Sequence, residues 1–580
     1  MELVLTGEGV NYCSFSFEKK GKGDFQFFGY LMMSLIKILS RLISFDKSNA
    51  RLADFISTNS VITNRKLLIW DLGDYDLILR KNAIWATAMR LRGYKPYCVI
   101  CNGISSACIQ RGLELKQTVD EWSDQCKNCH QKMQKMAKEW DLSILPINEY
   151  IKPQEIKTLQ QVAAKIPVEE ILHYTYLGIN VGELAFSSFN RYMRGYVVSS
   201  ENIETSSYAD VYRQYFFASL VNTLLADRIL SKLQPDAVLT SHGIYHDYAP
   251  ILFLAGNRNI PALAWNSGFS DFLHYFDIPD NKSCSLLRGG THDSWEKESL
   301  HKLTNEQKKE LDDFFDKRYF SDKASDIRVS VVHKSRETLK NELNITKDKV
   351  VCLFCHVNWD IGPGLTHRIF GNANQWVIES IKKMCTISDI DWIIRIHPGE
   401  LMNDLTLYST YDVIKDNFDL SKLPNNIRIL THDSGINTYD LFQLIDCGIT
   451  ILGSVGAELP CFGKPIIAAG EAHFSGKGFS YDAQTPYDYF MLLKNIPPAL
   501  NKKRIELAKR YAYLYFIQRQ VPFTFTNKNE GHWGNIDYNK LDELLPGRNP
   551  IVDKVCNCLA HGEEVILHDR ELAYAREFGD

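Results

Sequence analysis

Short runs of β-branched and aromatic residues recur along the chain between longer stretches with helical spacing. Residues 66–71, 97–101, 236–240 and 262–266 form one series, and 350–354, 391–396, 427–430, 449–452 and 465–468 form a second. None alternates strictly between apolar and polar, which is the pattern of strands covered by helices on both faces. The expectation is an α/β fold of two Rossmann-like lobes, each built on a parallel sheet, with the sheets facing a cleft.

The polar positions divide the chain further. Residues 304–348 are rich in Lys, Glu and Asp and lack a strand pattern, which predicts charged surface helices and a linker. The lobes are therefore expected at 66–343 and 344–500, behind a helical extension at 1–65. Ile505, Ala508, Tyr511, Ala512, Tyr515 and Phe516 repeat on one helical face, so 501–580 is read as a helix returning to the first lobe plus a tail of weak periodicity.

Composition narrows the partners. The 580 residues carry 66 Lys and Arg against 70 Asp and Glu, a net charge of -4, so nothing calls for nucleic acid. The first nine residues hold Glu2 and Glu8 and no basic lead, which is not a secretion signal; a cytoplasmic protein is expected. The most apolar window, 27–45, is interrupted by Lys37 and Arg41 and falls short of the roughly 20 apolar residues of a spanning helix. It reads as a core or surface-docking helix, with a helix lying on the inner membrane face as the alternative. The 14 Cys are scattered, as reduced thiols are.

Chemistry is concentrated after the strands. Arg395 and His397 leave the strand 391–396 at the carboxyl edge of a parallel sheet, where such folds bind ligands, and Glu400 follows the turn at Pro398. This suits a phosphate and a ribose. Gly453, Ser454, Gly456 and Glu458 form a second strand-to-helix turn, which offers backbone N–H groups to a phosphate and a carboxylate to ribose hydroxyls. Between them Ser434 and Asn437 open a helix as N-caps, or face the nucleotide. In the first lobe the strand 236–240 runs into Ser241-His242-Gly243-Ile244-Tyr245-His246-Asp247. His242, His246 and Asp247 are the candidate catalytic groups, as a base for an acceptor hydroxyl or as a carboxylate nucleophile. Cys101, Cys108, Cys126 and Cys129 are the one cluster with metal-like spacing, Cys126 and Cys129 being a C-x-x-C pair, and a structural zinc is the cofactor weighed against unligated thiols. Neither a dinucleotide nor a P-loop glycine pattern occurs.

Taken together, Ser241 to Tyr245, Asn358-Trp359-Asp360, Arg395 to Glu400, Ser434 to Tyr439, Gly453 to Pro465 and Ala469-Gly470-Glu471-Ala472 resemble bacterial capsule and surface polysaccharide biosynthesis proteins of GT-B fold, the Kdo transferases among them. The likeness spans about 67–493, and the His-Pro and Ser/Gly-Glu elements are also similar to GT-B sialyltransferases. The resemblance implies transfer of a sugar from a nucleotide donor, CMP-linked and acidic, to a glycan or lipid-linked glycan, with no metal at the reaction centre. By it Arg395, His397, Glu400, Ser454, Gly456 and Glu458 hold the donor, and the first lobe supplies the catalytic group. A sugar-nucleotide epimerase, a polyol-phosphate transferase and a non-catalytic assembly scaffold are the rival readings.

Overall fold

The computed structural model describes residues 50–72, 76–104, 107–109, 119–195, 208–269, 272–280, 285–286, 292–320, 332–359, 369–401, 406–431, 433–526 and 534–578. The apolar window 27–45 and Asp360 lie outside the described residues. The chain falls into two compact units, 1–58 and 59–580. Of the first, residues 50–58 are described, and they are helical.

The second unit holds two large sheets. Their strands are β1 Arg65–Asp71, β2 Tyr94–Ile100, β3 Ser143–Leu145, β4 Ala237–Ser241, β5 Ala262–Ser267 and β6 Leu273–Asp277, then β7 Lys349–Phe354, β8 Ile390–Arg395, β9 Ile427–Leu430, β10 Cys447–Thr450, β11 Ile466–Ala468, β12 Tyr481–Asp482 and finally β13 Val521–Pro522. The first sheet runs β13-β6-β5-β4-β1-β2-β3 and the second β9-β8-β7-β10-β11-β12. Strands β1 to β5 pair in parallel, as do β7 to β12. Only β6 and β13, at one edge of the first sheet, are antiparallel. Leu67, Leu68, Ile69 and Trp70 in β1, and Val351, Cys352 and Leu353 in β7, are fully buried, which is why these strands read as continuous apolar runs.

Both sheets count 3-2-1-4-5 from their third strand, the doubly wound order, so each reverses direction once: between β1 and β4, and between β7 and β10. Loops leaving the carboxyl ends at that reversal flank the crevice where open α/β sheets bind ligands. The two-lobe α/β fold is the one the apolar runs imply.

Two stretches differ from their sequence reading. The charged segment ahead of β7 is not a surface linker: the helix Asn305–Phe320 buries Leu311, Phe315 and Tyr319, spaced four apart on one face, in the core of the second sheet with Phe442, Leu459 and Phe516. Three apolar positions per four turns suffice for docking, and the charges occupy the remaining faces. The tail is also ordered around a core. The helix Lys502–Tyr513 packs on the second sheet through Ala508, Tyr511 and Ala512, a π-turn at Leu514–Gln518 follows, and β13 then joins the first sheet. Arg519 marks the crossing, wholly buried between Asp277 at 3.3 Å and Glu564 at 2.8 Å. The helix Pro550–His561 closes on β4 and on the helix Asp76–Arg90 with Ile551, Val552, Val555 and Leu559 inside. Among the described residues no helix is long and apolar enough to cross a membrane.

Candidate active site

His397 stands two residues past the end of β8. Its Nδ1 accepts the Gly399 backbone N–H at 3.0 Å. A backbone N–H can only donate, so Nδ1 is bare and the neutral ring carries its proton on Nε2. Burial holds the ring well below the ordinary imidazole range, down to about 3, with His356 and Arg395 adding to the shift. His356 occupies the equivalent place after β7, its ring 6.1 Å from that of His397. Here Nδ1 lies 2.9 Å from the Val357 carbonyl, which can only accept, so Nδ1 carries a proton, and in a neutral ring Nε2 is an acceptor. The second sheet thus presents one imidazole donor and one imidazole acceptor side by side. His356 was not singled out from sequence; the signal available was a His just past an apolar run, repeated forty-one positions later at His397.

The other expected donor residues are mostly engaged in holding the site together. Arg395 is buried, and its guanidinium binds the Thr431 carbonyl at 2.7 Å, Ser434 Oγ at 3.0 Å and the Ile436 carbonyl at 3.1 Å. It clamps the loop after β9, and Ser434 is one of its acceptors. Asn437 accepts the Tyr439 N–H at 2.9 Å and shapes the turn ahead of the helix Leu441–Leu444, whose N-cap is Asp440. Glu400 is buried and accepts both the N–H of Thr410, at 3.0 Å, and its hydroxyl, at 2.6 Å, at the start of the helix Thr410–Asn417. Burial raises its pKa to about 7.

Glu458 is likewise a correction to the expected ribose contact. It is 1% exposed, with Oε1 3.3 Å from Arg318 Nε and Oε2 accepting the Tyr319 hydroxyl at 3.3 Å. The helix it ends, Val455–Glu458, is a single turn continued by the 3-10 turn Leu459–Phe462. A Cβ on Gly456 would run into the Phe474 ring, so this glycine serves close packing. Gly453 and Ser454 remain half-buried at the carboxyl end of β10.

In the first lobe the three candidate catalytic residues separate. His246 is fully buried: Nδ1 is 2.7 Å from Ser188 Oγ, and Nε2 is 3.2 Å from both the Ala107 carbonyl and Asp247 Oδ1. Asp247 accepts the Ile109 N–H at 2.7 Å and the Asn222 amide at 3.3 Å, and its burial raises its pKa. The pair ties the segment 107–109 to the helix Ala209–Leu233, and neither group meets the cleft. Their sequence signal, polar residues on a loop after a strand, does not distinguish a buried clamp from an open site. His242 is the exception. It is half-buried beside the reversal between β1 and β4, with Nδ1 3.1 Å from Ser241 Oγ and its ring stacked 5.5 Å from Tyr248. Its φ of +57° is the left-handed conformation, costly for a residue with a Cβ and found where surrounding structure enforces it.

Cys101, Cys108, Cys126 and Cys129 are all half-buried. Among the described residues no three or more His, Cys, Asp or Glu are grouped to hold a metal, so the expected zinc site finds no supporting geometry. His130, next to Cys129, instead lies 2.9 Å from the Cys101 carbonyl through Nδ1.

The two lobes touch through loops near these reversals. The helix Val181–Met193 ends against the second lobe, where the Leu407 N–H donates to the Arg194 carbonyl at 2.9 Å and Asn358 donates to the Tyr408 carbonyl at 3.1 Å. Gly195, with φ of +96°, lets the backbone approach the Tyr408 carbonyl where a Cβ would collide. Arg191 joins the loops: it donates to the Tyr245 hydroxyl at 3.1 Å and lies 5.8 Å from the centre of the Trp359 ring.

No family model and no curated protein matches the chain. Among solved structures it is similar to the KpsC β-Kdo 2,7 transferase of Thermosulfurimonas dismutans, at 12% identity over 55% of this chain and 88% of that one, with a TM-score of 0.30. The β-Kdo 2,4 transferase of the same organism's KpsC is similar at 12% identity over 54% and 87%, TM-score 0.31. The UDP-GlcNAc 2-epimerase of Neisseria meningitidis bound to UDP-GlcNAc is similar at 12% identity over 78% and 96%, TM-score 0.22. Likenesses at this level leave the site to be read from its own geometry.

Proposed function

We propose that the protein is a glycosyltransferase that moves a sugar from a nucleotide donor, a CMP-linked acidic sugar by preference, to a surface-glycan acceptor. The observation that carries this is the placement of His242 after β4, beside the reversal of the first sheet, and of the His356–His397 pair after β7 and β8, beside that of the second, in lobes that touch at Arg194–Leu407 and Arg191–Trp359. Such a cleft separates two jobs. The second sheet offers a neutral Nε2–H donor at His397 and the backbone N–H of Ser454 to a phosphate, the Gly453 N–H being donated to the Thr450 hydroxyl. Donation from a neutral imidazole stabilises charge growing on a departing phosphate without adding a formal charge that would bind the ground state as strongly.

His242 supplies the base. It takes the proton of the acceptor hydroxyl as that oxygen attacks the anomeric carbon and the bond to the nucleotide phosphate breaks, giving an inverted product. His246 and Asp247 hold the loop from behind and carry no proton to the reaction.

The test is nucleotide release from CMP-, UDP- and GDP-sugars, with and without oligosaccharide acceptors. Transfer is supported by release that requires acceptor and drops on His242→Ala. Isomerised donor formed without acceptor supports an epimerase in its place, and a chain that binds no nucleotide sugar overturns both.

A further inference from the structure

Lys477 is a half-buried cation held by aromatic rings in place of an anion. It stands in the loop 469–480 that leaves the carboxyl end of β11, so the edge of the second sheet carries His397, His356, Ser454 and Lys477 in the strand order β8-β7-β10-β11. The loop is pinned at three points. The Phe474 ring fills the space that a Cβ on Gly456 would need, Gly476 N–H donates to Asp482 at 2.9 Å, and Arg504 donates to the Gly478 and Ser480 carbonyls at 3.2 Å and 3.0 Å. The Lys477 ammonium lies 5.9 Å from the ring centres of both Trp295 and Tyr511, which pack in the core of the second sheet. Among the described residues it makes no hydrogen bond and no ion pair. Burial lowers its pKa from the usual 10.5 to about 8; Glu564 and Glu471 restore only part of that, and Arg519 opposes them. Glu564 is itself engaged by Arg519, at 2.8 Å, and by the Ser294 hydroxyl. Two ring faces answer an ammonium's charge in part and none of its three N–H donors, whereas an anionic oxygen answers both. There is room for one, since a Cβ on Gly476, at φ of +71°, would meet nothing within 4 Å. Arg395, at the same sheet edge, is taken up by the loop after β9.

We propose that Lys477 binds a phosphate of the nucleotide donor, as the cation of the site that the Ser454 N–H begins. A compact ammonium acts on a phosphate as a point charge and needs no matched pair of oxygens. The pinned loop and the two rings fix where that charge stands before the ligand arrives, and the phosphate supplies the hydrogen bonds the rings cannot. This rests on the transferase reading for the nature of the ligand, a nucleotide whether its sugar is acidic or neutral.

The experiment compares wild type, Lys477→Arg and Lys477→Met by calorimetry with cytidine and CMP and with uridine and UDP; Met keeps an apolar stem on the two rings. In parallel, wild type is treated briefly with acetic anhydride at pH 8, with and without each compound, and acetylation of Lys477 is read by mass spectrometry. Expected is a loss of roughly 10- to 100-fold in affinity for at least one nucleotide in Lys477→Met, with its nucleoside bound as by wild type. Lys477→Arg should keep most of the affinity, thermal melting should show all three proteins folded, and the nucleotide but not the nucleoside should slow acetylation. Equal losses for nucleotide and nucleoside mean that Lys477 only packs on its rings and overturn the proposal, as does acetylation that no nucleotide slows. In either case acceptor-dependent release from a sugar nucleotide leaves the transferase reading standing, whereas a wild type that binds no nucleotide and no sugar nucleotide removes both.

Discussion

His356 and His397 lie with ring centres 6.1 Å apart and hold opposite tautomers, one fixed by a carbonyl and the other by a backbone N–H. With both rings neutral, the pair can donate to one ligand oxygen and accept from a neighbouring hydroxyl or amine. Substitution should be unequal: His397→Gln keeps a donor amide and loses less donor affinity than His397→Ala, by about 1 kcal/mol in calorimetry with CMP. Equal effects of the two changes count against the donor role.

His397 and Glu400 oppose each other in pH dependence. The His397 ring is protonated less readily in the folded chain, about 3 against an ordinary 6.5, so unfolding takes up a proton and stability from this group falls as pH drops from 6.5 toward 3. The Glu400 carboxyl is protonated more readily, about 7 against 4.5, so stability from this group is present below 4.5 and falls as pH rises through 7. Between 4.5 and 6.5 the two slopes offset. Melting temperatures of Glu400→Gln should accordingly rise more steeply with pH across that window than those of wild type; an unchanged slope places Glu400 in contact with water.

Asp247 and His242 should separate stability from turnover. Asp247→Ala strands the buried His246 and the Ile109 N–H, at a cost of about 3 kcal/mol, read as an earlier urea midpoint. Its remaining folded fraction should release nucleotide at the wild-type rate. His242→Ala should do the reverse, with a midpoint within about 1 kcal/mol of wild type, since Ala keeps the Cβ in the left-handed position and only a half-buried ring is lost, and with turnover reduced at least 100-fold. Reduced turnover by the folded fraction of Asp247→Ala returns Asp247 to the chemistry.

Gly456→Ala should destabilise by about 1 to 3 kcal/mol through its clash with Phe474, and Phe474→Leu should recover part of that. A neutral Gly456→Ala with weakened CMP binding shows instead that the glycine faces the nucleotide.

The apolar runs carried the fold, because a strand covered on both faces must be apolar throughout and the chain between two such strands must be long enough to cross over. They also placed His242, His397 and Ser454 correctly at carboxyl edges, since a polar residue directly after a buried strand has nowhere else to go. Which polar groups meet the cleft was another matter. Arg395, Glu400, Glu458, His246 and Asp247 follow strands or open helices just as His397 does, yet each is drawn inward by partners distant in sequence: Ile436, Thr410, Arg318, Ser188 and Asn222. Arg191 and His356 gain their meaning only from Tyr245, Trp359 and each other's loops. A strand's burial is a property of its own residues and their period, so it is written locally. Whether a charge faces solvent, a ligand or a partner depends on what the fold brings within hydrogen-bond reach, and that is settled only when the two sheets have packed.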